Sequence, residues 1–111
     1  MTDTVGSADQ EERQATGAAA AKPLLVFFHS PTSGRCRRAE AHLAHALQRR
    51  RNHDVFALVR VDVGERPDLA QRFRIDVVPT LLVVEKRQVV QRIVSPRSAT
   101  ELEQELAAWL R

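Results

Sequence analysis

The chain has 111 residues, of which 43% are hydrophobic and 28% charged, with a formal net charge of +3 and one cysteine, Cys36. That length fits one domain with one modest core, and that composition does not fit a wholly disordered or fibrous chain. A single cysteine excludes an internal disulfide and a cysteine-rich zinc site; no apolar run nears the roughly 20 residues of a spanning helix, and the polar start is unlike a signal peptide, so a cytoplasmic, reducing setting is expected and no membrane contact.

Residues 1–22 set Asp3, Asp9, Glu11 and Glu12 against Arg13 and Lys22, run through Ala18 to Ala21, and contain no large apolar residue beyond Met1 and Val5. They read as a disordered acidic tail, which leaves residues 23–111 as the domain. Leu24 to His29, LLVFFH, is a continuous apolar run rich in aromatics, as in a strand buried on both faces. After the turn SPTSG, Cys36, Ala39, Leu43, Ala46 and Leu47 recur at helical spacing while Arg37, Arg38, Glu40, Gln48 and Arg49 point elsewhere, which predicts an amphipathic helix. Val55 to Val63 reads as a second strand, and a strand, crossover helix and strand in that order predict a right-handed parallel unit. Glu65 to Phe73 reads as a short helix with Pro67 in its first turn, and Thr80 to Val84 as a third strand. Two apolar runs around EKRQ predict an antiparallel hairpin whose turn type the residues do not name. Ser98 and Glu101 form a Ser-x-x-Glu capping box before a last helix with Leu102, Leu106, Trp109 and Leu110 on one stripe. The expected class is therefore α/β, in the order β-α-β, α, β-β-α.

Two fragments carry a resemblance. FFHSPTSGRC lies where the first strand passes into the first helix, and VVPTLLVV enters the third strand; together, at this spacing and with the hairpin and last helix, they resemble the thioredoxin family over residues 23–111. The resemblance implies a minimal thioredoxin-like fold with a mixed four-stranded sheet flanked by helices. It also implies a cis bond before Pro79, facing the 32–36 segment, and a substrate-binding surface made of Thr32, Gly34, Arg35, Val78 and Pro79. The departures bear most on function. Ser33 stands where the family's attacking cysteine would be, giving Ser-Gly-Arg-Cys in place of Cys-Gly-Pro-Cys; Phe27 replaces a buried acid, Thr32 a tryptophan and Arg35 a proline. A serine hydroxyl forms no disulfide with Cys36, so dithiol exchange is excluded. What remains is thiol redox through Cys36 alone, as a mixed disulfide or glutathione adduct with protein or glutathione partners; the alternative is a redox-inactive adaptor that binds an extended partner segment beside Val78-Pro79.

The residues themselves leave several readings open. Ser33 is either a helix cap that accepts the Cys36 backbone N–H or a hydroxyl facing a substrate. Cys36 is either a small packed hydrophobe or a reactive thiol, because the helix N-terminus and Arg35, Arg37 and Arg38 favour its thiolate. His42 and His45 are spaced for a metal, but no third ligand is evident, so no metal and no cofactor are expected. Arg49, Arg50 and Arg51 suit the negative end of a helix dipole. The basic excess, 15 Arg to 2 Lys, raises nucleic-acid binding as a further class, which the absence of interleaved aromatics weighs against.

Overall fold

The computed structural model describes residues 22–48 and 55–110. It comprises β1 (Leu24–His29), α1 (Gly34–Gln48), β2 (Ala57–Asp62), α2 (Pro67–Arg72), β3 (Thr80–Glu85), β4 (Gln88–Val94) and α3 (Ala99–Glu105). The sheet order is β2-β1-β3-β4. β1 and β2 run parallel, whereas β3 is antiparallel to both β1 and β4. This is the mixed α/β architecture expected, with three helices among the described residues.

The unbroken apolar character of β1 follows from its place inside the sheet. Leu25 and Phe27 point to one face, where Leu43 and Ala46 of α1 and Leu102 of α3 pack with Leu106, Leu81 and Val83. Phe28 points to the other, against Leu69 of α2, Leu82 and Val61. Phe27 and Phe28 are both essentially inaccessible, and full burial of such a ring contributes about 1.5–3 kcal/mol. Alternation along β1 and β3 thus feeds two cores, one under α1 and α3 and one under α2.

Several boundaries differ from the sequence expectation for local reasons. The second strand is Ala57–Asp62, shorter than Val55 to Val63, because Asp62 turns the chain: its carboxylate accepts the Gly64 N–H at 2.8 Å and its carbonyl accepts Glu65 and Arg66. α2 starts at Pro67, with Pro67 at its first positions, and ends before Phe73. α3 ends at Glu105, so Trp109 and Leu110 follow it in a turn closed by their N–H groups on the Leu106 carbonyl. Ser98 caps α3 by accepting the Glu101 N–H at 3.0 Å, but the Glu101 carboxylate reaches the Arg97 N–H, one residue before the cap. Lys86 and Arg87 both have positive φ, which makes the two-residue β3–β4 loop a type I′ turn without Gly or Asn. The register jumps between Val83 and Val84, which leaves Val90 as the extra residue of a bulge in β4. The tail reading of residues 1–22, Lys22 apart, and the Arg49–Arg51 cluster lie outside the described residues.

The register decides what the sheet brings together. Phe28 sits opposite Thr80, so the turn leaving β1 and the loop entering β3 meet at the same end of the sheet. Among the described residues no helix is long and apolar enough to cross a membrane.

Candidate functional site

The site grows from the β1–α1 junction. The chain turns at Ser30 to Ser33, closed by the Ser33 N–H on the Ser30 carbonyl at 3.1 Å and by a 3.1 Å contact between the Ser30 and Thr32 hydroxyls. Ser33 then starts α1: its Oγ accepts the Cys36 N–H at 3.2 Å, while its carbonyl accepts the Arg37 N–H. Satisfying an otherwise orphaned N–H in this way stabilises a helix start by about 1 kcal/mol. Thr32 and Arg35 are exposed and Ser33 and Gly34 half-buried.

Cys36 faces inward from the first turn. It is only 3% exposed, and its Sγ accepts the Ser30 backbone N–H at 3.4 Å. The sulfur is thus packed behind the Ser30–Ser33 turn, although Arg35, Arg37 and Arg38 around it are exposed. Phe27, one strand position away from the other core, is buried at 1% and stacks on His29 with ring centroids 5.5 Å apart, so no carboxylate occupies its place beneath the junction.

The second wall is the loop before β3. The Val78–Pro79 peptide is cis, Pro79 is buried, and its carbonyl accepts the Ser95 N–H at 2.8 Å. The buried Thr80 hydroxyl donates to the Val77 carbonyl at 2.7 Å, which pins the loop from inside. Val77 is 46% exposed. Val78 is half-buried, and among the described residues its backbone N–H and C=O make no hydrogen bond. An unpaired donor and acceptor just before a strand form a short template for another strand.

Beside Pro79 opens a cavity of about 300 Å³, lined by Arg35, Arg38 and His42 of α1, by Pro79 and by the Ser95–Arg97 turn. Arg38 leans back along the helix, so a methyl group on Gly34 would lie 3.4 Å from its guanidinium. Of the residues the resemblance implies, Thr32, Gly34, Arg35, Val78 and Pro79, only Arg35 and Pro79 line this cavity, and its other lining residues, Arg38, His42, Ser95, Pro96 and Arg97, are not among them. The spacing of Arg35, Arg38 and His42 at three and four was the available signal for one helix face. Nothing local announced the Ser95 turn, where a non-glycine residue adopts φ 48°. His45, by contrast, is exposed, and among the described residues no three His, Cys, Asp or Glu side chains converge as a metal site would need.

An α/β sheet of this order, with a capped motif helix facing a cis-proline loop, defines a thioredoxin-like fold. The family model described as thioredoxin matches residues 5–108, and the chain belongs to the thioredoxin family. Thioredoxin H2 of Arabidopsis thaliana is 33% identical over 86 residues, covering 78% of this chain and 62% of that protein. The thioredoxin of Mycobacterium tuberculosis is 30% identical over 111 residues, covering 96% of this chain and 94% of its own length. The chain spans 48% of the mouse mitochondrial thioredoxin, at 27% identity over 81 residues, and so falls well short of some relatives' full length. Among solved structures, a poplar thioredoxin h superposes with a TM-score of 0.75 at 21% identity, covering 93% of this chain and 87% of that one. That likeness concerns the fold.

Proposed function

We propose that this protein is a binding member of its family: it docks an extended partner segment against residues 32–36 and Val78–Pro79 and completes no dithiol cycle. The observation that carries this reading is the division of labour at the motif. The position that a partner meets first carries the Ser33 hydroxyl, committed to the Cys36 N–H, while the chain's single thiol is 3% exposed. Ser33 lacks the electrophile-accepting sulfur that a mixed disulfide requires, and Cys36 has no second cysteine in the sequence to resolve one. The free backbone groups of Val78 support binding by strand addition, in which main-chain hydrogen bonds give affinity and flanking side chains give selectivity.

A second reading has one observation in its favour. The Sγ of Cys36 rests on the Ser30 N–H, at the very turn a partner would touch, so opening that turn would expose it. Cys36 would then form one mixed disulfide, for instance with glutathione disulfide: the Cys36 sulfur displaces one glutathione as thiol and keeps the other, and the adduct stops there. Two measurements test the proposal. Insulin disulfides and a thioredoxin-type electron donor should show no turnover with this protein. Titration of an extended peptide should shift the backbone amide resonances of residues 32–36 and 77–80. Steady turnover that disappears in Cys36→Ala would refute the binding reading.

A further inference from the structure

The cavity beside Pro79 gathers Arg35, Arg38 and Arg97 with His42, and among the described residues no acidic side chain lines it. Elsewhere in this protein arginines find carboxylates: Arg60 binds Glu40 at 2.7 Å, and Arg66 binds Asp68 at 3.0 Å. Among the described residues the guanidiniums of Arg35, Arg38 and Arg97 have no such partner. Glu101, which touches the same turn, spends its carboxylate on the Arg97 backbone N–H at 2.8 Å. Three like charges around one concavity repel one another and are relieved by an anion, which guanidinium forks bind with two parallel hydrogen bonds per carboxylate.

The source of that anion follows from what adjoins the cavity. Val78, with its unpaired N–H and C=O, precedes Pro79, which lines the cavity. A strand added along Val78 projects alternate side chains to the same side, so one of them passes over Pro79 toward the arginines. Among the described residues no Phe, Tyr or Trp lines the cavity, whereas the unpaired backbone groups of Val78 beside it suit a peptide. We propose that the cavity is a selectivity pocket for acidic side chains, so that the partner segment this protein docks carries Asp or Glu beside the residues paired with Val78. This inference rests on the docking reading above and adds the chemistry of the partner.

The test uses the full chain and fluorescein-labelled peptides followed by anisotropy: an alternating Glu-Thr peptide, the same peptide with Gln for Glu, and one with Lys for Glu. The Glu-Thr peptide should bind about 10-fold more tightly than its Gln counterpart, and the Lys peptide most weakly. The combined variant Arg35→Gln, Arg38→Gln, Arg97→Gln should abolish that preference. A variant that removes the same charge elsewhere, Arg37→Gln, Arg60→Gln, Arg72→Gln, should retain it. Equal binding of Glu and Gln peptides, with amide shifts at Val78 preserved, would overturn the acidic selectivity and leave docking intact. Equal loss in both triple variants would assign the preference to overall charge. Displacement of the Glu-Thr peptide by oligothymidylate at similar concentration would assign the arginines to nucleic acid instead. If no peptide binds, docking and selectivity fall together.

Discussion

Alkylation of Cys36 by iodoacetamide measures how tightly the motif turn holds its sulfur. For reagent to reach a side chain that is 3% exposed, the first turn of α1 must come away from Ser30 to Ser33. That opening breaks the Ser30 N–H to Sγ contact at 3.4 Å, the Cys36 N–H to Ser33 Oγ bond at 3.2 Å and the Arg37 N–H to Ser33 carbonyl bond at 3.2 Å. At about 1 kcal/mol each, the three sum to about 3 kcal/mol. Since about 1.4 kcal/mol is a factor of ten, native Cys36 should label about 100-fold more slowly than the same thiol in guanidinium-unfolded chain at pH 8. Mass spectrometry of quenched time points gives both rates. Ser33→Ala, which removes one of the three bonds, should speed native labelling by about 5-fold without changing the unfolded rate. Native labelling within a few-fold of the unfolded rate would refute this picture of a packed sulfur, and Cys36 would then be the accessible thiol of the mixed-disulfide reading.

Other perturbations probe the surroundings. Trp109 packs on Phe56 with ring centroids 6.0 Å apart and donates its indole N–H to Glu85 at 2.7 Å, but it is only partly buried. Trp109→Ala should therefore cost about 2–3 kcal/mol, below the ~3–5 of a fully buried ring, and Trp109→Phe about 1, as read by urea denaturation followed by circular dichroism. Equal losses in the two variants would mean that the indole body contributes nothing. Leu102→Ala, at a fully buried position between α3 and the sheet, should cost about 2–5 kcal/mol in the same assay, and a loss below about 1 would mean that α3 is loosely docked. Ser33→Cys should restore a 33–36 disulfide on air oxidation, detected as a mass loss of two hydrogens and protection from alkylation; persistence of two free thiols would count against the motif alignment.

Much of this arrangement is legible in the chain because packing leaves a periodic mark. Leu24 to Phe28 are apolar without interruption because β1 lies inside the sheet with a core on each face, and Cys36, Ala39, Leu43 and Ala46 repeat because α1 buries one stripe. The same logic misled at the C-terminus: Trp109 and Leu110 continue a helical stripe by spacing, yet α3 stops at Glu105 and a turn carries them. The β3–β4 loop escaped naming because Lys86 and Arg87 hold positive φ without the residues that normally advertise it. The cationic cavity was invisible for a different reason. Arg35 and Arg38 belong to α1 and Arg97 to the segment after β4, and only the sheet register and the Ser95–Pro79 hydrogen bond set them around one space.

Trp109 has one more consequence. The sequence contains one tryptophan and no tyrosine, so nearly all near-ultraviolet absorption and emission above 300 nm comes from a single indole. That indole touches Glu85, at the end of β3 that adjoins the start of β1, whereas the motif turn leaves the opposite end of β1. Its emission therefore tracks the docking of the last turn and is silent to fraying around Cys36. Fluorescence and thiol alkylation, followed in one denaturant series, make two optically and chemically separate clocks at opposite poles of the sheet, so a breathing motion confined to the motif end is distinguishable from whole-domain unfolding without any added label.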